Sequence, residues 1–484
     1  MKYDRTLWII GCCIVALALF IGHWQSIYGF DEIEHIHAAW LVGTGSKPYI
    51  DFFEHHHPTL WYLIAPITLL FNDPSSLIYF IRVISIGGML VFALIFERLA
   101  RLIFPDSSSK WIALLVISLF MFNNNFVNIR PDPIMTLFLL ISFYFWVRFI
   151  IHGSLKYSII SGIAAGLAFV FLQKAVIVIF IIVASLVPLL ILHRKDKDRI
   201  FLLIKGTAIF IVSCLIPISI FVIALISTGL WQEFYFWNYP YNAFFFSIAD
   251  VNDPCSLFRP IYRSFLQSPF LWIAGISGFV MIAKDLFVNK RKYNSDSMII
   301  ILWSIVLYIV AMSFIRFIRA QYLLFFFPLL GLVAARFFTI SSSDRFKIFT
   351  RIMILGMVVE FAVVMFFVSS KSKQEKIHDI VLSKTSLDDF VAISPPYHPI
   401  LRKDAAYFWF AGEKMGVVYK QYCKKFICKN NFLKIDDNRW QENPAKTVWV
   451  DPKKPNTYIY NWDKYVSRYE PLGIDRRLWF RKGQ

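Results

Sequence analysis

Long apolar runs recur along most of the 484-residue chain. A helix needs roughly 20 apolar residues to cross the hydrocarbon of a bilayer, and runs near that length predict about eleven transmembrane helices. They lie at about 7–23, 76–103, 111–128, 133–151, 157–172, 175–192, 201–228, 269–288, 298–315, 320–340 and 347–369. The pattern therefore predicts a polytopic α-helical membrane region over residues 1–370.

The pattern changes near residue 371, where Pro, Lys, Asp and Asn become frequent and apolar runs of spanning length stop. Residues 371–484 are therefore predicted to form a small mixed α/β domain outside the membrane. The β-branched and aromatic stretches VAISPP and KTVWV are candidate strands, and DAAYFWFAGEKMG is a candidate helix.

Composition supports the membrane assignment, since 57% of the residues are apolar and only 17% are charged. The net charge of +18 comes from short basic clusters between apolar runs, which is typical of cytoplasmic loops rather than of nucleic-acid binding. These clusters fall on alternate loops. They predict a plasma (inner) membrane protein with a cytoplasmic N-terminus, and with residues 24–62, 229–268 and 371–484 on the outer side.

Cys423 and Cys428 both lie in the predicted outer domain. A Cys-x4-Cys pair in an oxidising compartment could close a local disulfide, and a zinc pair would need more ligands nearby than this domain offers. The sequence leaves open whether the disulfide forms.

Residues 30–61, FDEIEHIHAAWLVGTGSKPYIDFFEHHHPTLW, gather five carboxylates and five histidines after the first apolar run. Asp31 followed by Glu34 fits a capping pair and predicts an interfacial helix, DEIEHIHAAWLV, that ends at Gly43. Its polar residues could be a solvated face of an amphipathic helix, with the three histidines as a polar turn. They could equally be functional, because ionisable groups at a membrane are costly to keep.

The rest of the chain favours the functional interpretation. A tight turn at GSKPY would bring a second acidic cluster, DFFEHHHP, beside the first helix. Basic residues break the positive-inside pattern in other predicted outer loops: Arg130 with Asp132 in NIRPDP, Lys174 in FLQKA, and Arg316 and Arg319 in SFIRFIRAQY. One such residue could simply snorkel, but several opposite a carboxylate-rich loop predict an acidic site beside an anion-binding site.

Together, the acidic stretch, RPDP and the Lys after the fifth apolar run resemble the bacterial branch of the protein-mannosyltransferase-like glycosyltransferases. This branch belongs to the GT-C superfamily and is related to the lipid A aminoarabinose transferases. The resemblance implies a GT-C fold, a sugar donor carried on a polyprenyl phosphate, and an active site at the outer membrane boundary. It leaves the sugar and the hydroxyl acceptor open, because both vary within the family.

The resemblance also implies residue roles. Asp31 matches the first acid of the family's pair and would be the base that deprotonates the acceptor during an inverting transfer. Glu32 and Glu54 would be supporting carboxylates. Arg130 and Lys174 would neutralise the donor phosphate, Arg316 and Arg319 are further candidates for that role, and Asp132 would position a cation.

A divalent metal is a separate hypothesis. His35, His37, His55, His56 and His57 with Glu54 could bind zinc or manganese, although their spacing fixes no tetrahedral site. Glu54 and His55 are the candidate ligands, and His35, His55 and His56 are otherwise supporting residues. The resemblance leaves the metal open as well, because some GT-C enzymes need a divalent ion and others do not.

Three other functions compete with glycosyl transfer. A flippase or transporter of lipid-linked sugars would be expected to show broken helices and charges near the midplane. A glycan polymerase would be expected to place its acids and arginines in large late loops. A scaffold is disfavoured by the cost of so many polar groups at membrane depth. The aromatic loop 231–260 is predicted to be an interfacial flap or a simple anchor.

Overall fold

A computed structural model describes most of the chain. The described residues are 2–105, 108–248, 258–287, 294–315, 318–339, 344–367, 370–410, 412–428, 430–450, 462–472 and 475–483. Arg316, one of the predicted phosphate-binding residues, and the loop residues 249–257 lie outside the described residues.

Nine helices of the described residues are long and apolar enough to span a bilayer. They are Arg5–Gln25, Pro74–Ile103, Pro131–His152, Ala175–Leu192, Lys197–Ser227, Pro269–Phe287, Ser295–Ser313, Ala320–Phe337 and Arg345–Phe367. Large side chains such as Phe180, Ile191 and Ile220 on these helices are more than 60% exposed, which suits contact with lipid rather than water. The chain is therefore a multi-pass membrane protein, as predicted.

Two predicted spans take another form. The run at 111–128 is a pair of helices, Ser109–Ile117 and Phe120–Val127, that meet at an angle of 69°. Asn123 compensates for the break, because its amide donates to the carbonyl of Ile117 at 3.1 Å. The run at 157–172 is a 17-residue helix, Leu155–Phe171. Within the described ranges, the helices long and apolar enough to span therefore number nine, or ten if the bent pair counts as one.

The chain divides into two compact units. The first unit contains residues 1–25, 82–222 and 251–368, and the second contains 26–81, 223–250 and 369–484. The second unit therefore combines the acidic loop, the aromatic loop and the tail. The domain boundary near residue 371 stays a prediction.

Close helix packing in the first unit depends on small residues. A Cβ atom on Gly278, in helix Pro269–Phe287, would lie 1.9 Å from the carbonyl oxygen of Val333. Because nothing larger than hydrogen fits there, the two backbones can approach in the way that small residues permit between membrane helices.

The second unit contains a five-stranded sheet in the order β2-β1-β3-β5-β4. The strands are β1 (Phe390–Ala392), β2 (Lys403–Asp404), β3 (Thr447–Trp449), β4 (Tyr469–Leu472) and β5 (Asp475–Arg481). β1 pairs in parallel with β2 and β3, and β5 is antiparallel to β3 and β4. Both predicted strand segments therefore contain strands, β1 and β3, and the mixed α/β tail is confirmed.

Short helices complete the second unit. They are Phe30–Gly43, Thr59–Thr68, Trp231–Phe236, Asn242–Ile248, Ser372–Lys384, Gly412–Lys425, Phe432–Glu442 and Trp462–Tyr465. The predicted helix DAAYFWFAGEKMG is wrong in its first half, because the helix begins only at Gly412. The amides of Tyr407 and Phe408 donate to the carboxylate of Asp436 at 2.6 and 3.0 Å instead of entering a helical ladder.

Candidate active site

The helix Phe30–Gly43, called the acidic helix below, begins differently from the prediction. Gly29 is its N-cap residue, and the carboxylate of Glu32 accepts the Gly29 amide at 3.1 Å. Asp31 lies inside the first turn, so its predicted role as N-cap is wrong. Glu32 takes the structural role of the returning acid in a capping box, and Asp31 is not needed for it.

The acidic helix also lacks the predicted solvated face. Its polar residues Glu32, Glu34, His35 and His37 are each at most 2% exposed, whereas Asp31 is half-buried. Burying ionisable groups without partners is costly. The charges of this helix must therefore be matched by other buried groups, and two clusters in the second unit supply them.

The first cluster forms where the chain turns back after the helix. Tyr49 has the left-handed φ of 68°, and its amide donates to the carbonyl of Phe52 at 3.0 Å. The turn brings residues 54–57, called the histidine loop below, to the acidic helix. His56 Nδ1 lies 3.3 Å from both Glu34 Oε1 and Glu54 Oε2, so the predicted convergence of the two acidic segments is present.

Glu54 is the most perturbed carboxyl of this cluster. Burial first, and then the negative charge of Glu34, raise its pKa to about 8, although hydrogen bonds from His56 and the His55 amide act in the opposite direction. Its second oxygen, Oε1, is buried and accepts no hydrogen bond from the described residues. A buried carboxylate oxygen with this environment favours a proton or a cation.

The same residues fit a divalent cation. One ligand atom from each of Glu34, Glu54, His55 and His56 lies within 4.8 Å of the others, and such oxygen and imidazole nitrogen ligands suit zinc or manganese. The structure thus brings together the predicted Glu54 and His55 and adds Glu34, which the sequence suggested only as a capping residue. His57 turns away, with its ring 5.1 Å from that of Phe234.

We expect metal-depleted protein to bind one Zn²⁺ or Mn²⁺ ion per chain in equilibrium dialysis followed by elemental analysis. Glu54→Gln should lower the affinity by roughly 10-fold or more, because it removes an anionic ligand from a buried site. Asp51→Asn changes a nearby carboxylate that accepts the Lys47 amide in an exposed turn; it is the matched control and should bind normally. Equal binding by Glu54→Gln and wild type would contradict this cation site.

Hydrogen bonds within the second unit hold the histidine loop in place. Asn242 donates to the His55 carbonyl at 3.1 Å, and Trp409 donates through Nε1 to the Phe53 carbonyl at 3.1 Å. Trp61 Nε1 donates to His35 Nδ1 at 3.1 Å. The histidine loop is therefore positioned by residues from the aromatic loop and the tail, and Trp61 orients the neighbouring His35.

The second cluster joins the acidic helix to the tail. His37 Nδ1 lies 2.5 Å from the carbonyl oxygen of Ile400, and His37 Nε2 lies 2.6 Å from Asp404 Oδ2. Both of these contacts are to acceptors, so both ring nitrogens carry protons and His37 forms a buried ion pair with Asp404. Because both ring nitrogens of His37 are used in these hydrogen bonds, neither is available to bind a metal ion, contrary to the prediction that His37 is a possible ligand.

His398 is the neutral member of this cluster. The Ile400 amide donates to its Nδ1 at 3.0 Å, so Nε2 carries the proton and donates to Asp404 Oδ1 at 3.1 Å. Ile400 has a φ of 61°, a strained conformation for a β-branched residue. It binds one histidine through its carbonyl and the other through its amide, which explains why the strain is retained.

This arrangement predicts acid sensitivity. Burial, and then the charge of His37, lower the pKa of His398 to about 4 from its ordinary 6.5. The contribution of neutral His398 to the free energy of unfolding is complete above pH 6.5. This contribution is lost as the pH falls toward 4, by about 3 kcal/mol in total. His398→Gln can donate to Asp404 but cannot take up the proton. We expect its thermal unfolding midpoint to fall less between pH 7 and pH 4; an unchanged pH dependence would contradict the assignment.

The predicted basic residues lie in the first unit. Lys174 Nζ is 3.3 Å from Asp132 Oδ1 and 4.0 Å from the ring centroid of Tyr322, so Lys174 and Asp132 form an ion pair. Burial acts to lower the pKa of Lys174, but Asp132 and Tyr322 leave it raised overall, while the charge of Arg130 opposes them. Arg319 is exposed and directly precedes the short helix Ala320–Leu323, which contains Tyr322.

Comparison with solved structures identifies the fold. ArnT from Cupriavidus metallidurans, in a crystal structure with bound undecaprenyl phosphate, matches with a TM-score of 0.66 at 11% sequence identity. The match covers 99% of this chain and 97% of ArnT. Residues 55–223 also match the sequence model of the dolichyl-phosphate-mannose-protein mannosyltransferase family. The chain therefore has the GT-C fold of ArnT.

Structures of an archaeal enzyme share this fold with lower TM-scores. The Archaeoglobus fulgidus oligosaccharyltransferase matches with a TM-score of 0.56 at 11% identity, over 93% of this chain and 70% of that enzyme. Its complex with an inhibitory peptide and a dolichol-phosphate matches with a TM-score of 0.53 at 12% identity, over 93% and 69% of the two chains. A comparison with curated proteins found no significant sequence match.

Proposed function

We propose that this protein is a GT-C glycosyltransferase that moves a sugar from a polyprenyl-phosphate donor to a hydroxyl group of an envelope glycolipid, glycan or protein, with inversion at the anomeric carbon. The observation that carries the proposal is the family match at residues 55–223, which begins in the histidine loop. The bound undecaprenyl phosphate of ArnT and the dolichol-phosphate of the archaeal enzyme support a lipid-linked donor.

The proposed step uses one base. The carboxylate of Asp31 takes the proton of the acceptor hydroxyl while the oxygen attacks the anomeric carbon from the face opposite the phosphate. The bond between that carbon and the phosphate oxygen breaks, and polyprenyl phosphate leaves with the electron pair. The leaving group is a weak base, so no general acid is required.

Asp31 suits the role of base better than the other carboxylates of the acidic helix. Glu32 is buried and accepts the Gly29 amide, and Glu34 is buried with its Oε1 3.3 Å from His56 Nδ1. Asp31 is half-buried, and Gly29 and Glu32 make the cap of the helix instead of it. Its partly exposed position would give a substrate access to the carboxylate. Glu34, Glu54, His55 and His56 would hold a divalent cation, whose positive charge would stabilise an oxyanion near the site.

Lys174 and Arg130 are proposed to neutralise the donor phosphate as charge develops on it. The contact between Lys174 and Asp132 keeps the amine charged and oriented before the donor binds. Arg316 and Arg319 stay further candidates for this role.

The experiment that tests the function is donor-dependent product formation by the purified, reconstituted protein. A polyprenyl-phosphate sugar and envelope extract should give a product whose mass exceeds that of its acceptor by one sugar. Translocation of the donor without a new product would favour a flippase, and a ladder of masses would favour a polymerase.

The topology proposed for this site places the N-terminus in the cytoplasm and residues from about 371 onward outside, because basic clusters alternate between loops. Leu387 is 61% exposed in the tail. In a Cys255→Ser background, Leu387→Cys should react with a membrane-impermeant thiol reagent in intact cells or spheroplasts. Labelling that requires lysis of the inner membrane would contradict this topology.

A further inference from the structure

A small loop in the tail presents apolar side chains that its own unit does not cover. Cys423 and Cys428 form a disulfide at the end of helix Gly412–Lys425 and close residues 423–428, called the cysteine loop below. At its tip, Phe426 is 45% exposed and Ile427 is 98% exposed. Exposure of two adjacent large apolar residues in water is unfavourable, and the short disulfide-closed ring restricts their movement back onto the protein.

Lysines surround this apolar tip. Lys420, Lys424 and Lys425 are exposed, and together with the cysteine loop they line an open groove of about 660 Å³. Lys425 Nζ lies 5.7 Å from the ring centroid of Phe426. An apolar tip ringed by ammonium groups has the chemistry of a surface that binds an anionic amphiphile, because the tip enters the apolar phase while the lysines reach phosphate groups.

The cysteine loop is connected to a segment that begins at the bilayer boundary. The membrane-length helix Lys197–Ser227 ends four residues before Trp231, where helix Trp231–Phe236 begins. Four residues can span at most about 14 Å. Trp231 and the helix that it starts must therefore lie close to the membrane surface, where Trp and Tyr are favoured.

Aromatic contacts within the second unit continue from this segment to the cysteine loop. The ring centroids of Phe236 and Tyr422 are 5.4 Å apart, and those of Phe244 and Tyr422 are 5.3 Å apart. Phe244 also contacts Phe426, at the tip itself, with 6.0 Å between the centroids. The exposed tip is therefore packed, through one layer of rings, against the segment that leaves the bilayer.

We propose that the cysteine loop, with Lys420, Lys424 and Lys425, is a binding site for the headgroups of anionic phospholipids in the bilayer that the protein spans. Phe426 and Ile427 enter the interfacial region, and the three ammonium groups pair with phosphates at its surface. This site is separate from the carboxylates and cations proposed for glycosyl transfer, and its existence does not depend on that function. It would fix the tail on the lipid surface.

The test places the photoreactive residue p-benzoylphenylalanine at position 427 of the full-length protein. The protein is reconstituted in nanodiscs of phosphatidylcholine, alone or mixed with phosphatidylglycerol, and illuminated; the adducts are then identified by mass spectrometry. The matched control carries the same residue in place of Leu387, an exposed apolar residue of the same unit. We expect lipid adducts at position 427, enriched in phosphatidylglycerol, and few or none at position 387.

A second variant tests the lysines. Joint replacement Lys420→Gln, Lys424→Gln and Lys425→Gln should reduce the phosphatidylglycerol enrichment at position 427 by roughly tenfold or more, with thermal unfolding and glycosyl transfer unchanged. Absence of lipid adducts, equal adducts at positions 427 and 387, or adducts to another protein instead of lipid would overturn the proposal. Enrichment that survives loss of the three lysines would overturn it as well.

Discussion

Asp31→Asn is expected to lower the rate of glycosyl transfer by about 100-fold or more while the protein stays folded and binds its donor. The amide keeps the shape of the side chain but cannot accept the proton of the acceptor hydroxyl. Because Gly29 and Glu32 provide the cap of the acidic helix, the substitution should also leave the thermal unfolding midpoint close to that of wild type.

The matched control is Asp51→Asn in the same loop. Asp51 accepts the amide of Lys47 at 2.7 Å in an exposed turn, so its replacement repeats the chemical change without touching the proposed base. Turnover should be measured together with donor binding and thermal unfolding on the same preparations. Near-normal turnover by well-folded Asp31→Asn would exclude Asp31 as the base, and Glu34, Glu54 and Glu32 would then be tested in its place.

Lys174→Gln is expected to weaken donor binding by about 10-fold to 100-fold, since it removes a charge-assisted contact worth roughly 1.5–3 kcal/mol. Arg130→Gln should have an effect of similar size. The loss should appear in the affinity for free polyprenyl phosphate as well as for the sugar-loaded donor, because both carry the phosphate that these cations are proposed to bind.

Lys205→Gln is the control for a lysine that only extends along a membrane helix. Its amine lies 6.0 Å from the ring centroid of Phe201 within helix Lys197–Ser227, away from any proposed ligand contact. Donor titration of the three variants, with unfolding measured in parallel, separates binding from folding. Wild-type donor affinity in both Lys174→Gln and Arg130→Gln would show that the two cations have only a structural role.

The membrane architecture was predictable because a span depends on local composition and length. The break between Ser109–Ile117 and Phe120–Val127 was not, since neither Pro nor Gly marks it and the compensating contact comes from Asn123. The first half of the predicted helix DAAYFWFAGEKMG failed for a similar reason. The amides of Tyr407 and Phe408 in that segment donate to Asp436, about 28 residues further along the chain. No local sequence pattern predicts such a contact.

In the candidate site, too, contacts between residues close in the sequence could be predicted, and contacts between distant residues could not. The convergence of the acidic helix and the histidine loop followed from a short turn, so the sequence could predict it. The burial of His37 could not be predicted, because its partner Asp404 lies 367 residues away. The sequence did contain one signal that Glu34 belongs with Glu54, His55 and His56. Glu34 lies one helical turn after Asp31, and the two acidic segments were already expected to meet.

The most direct test of the proposed sugar transfer is a single-turnover reaction of the reconstituted wild-type protein with a donor labelled in both its sugar and its phosphate. We predict that one acceptor-linked sugar, inverted at its anomeric carbon, appears for each polyprenyl phosphate released, and that Asp31→Asn slows the formation of both products equally. Transfer with retained configuration, or release of polyprenyl phosphate without a glycosylated acceptor, would contradict it.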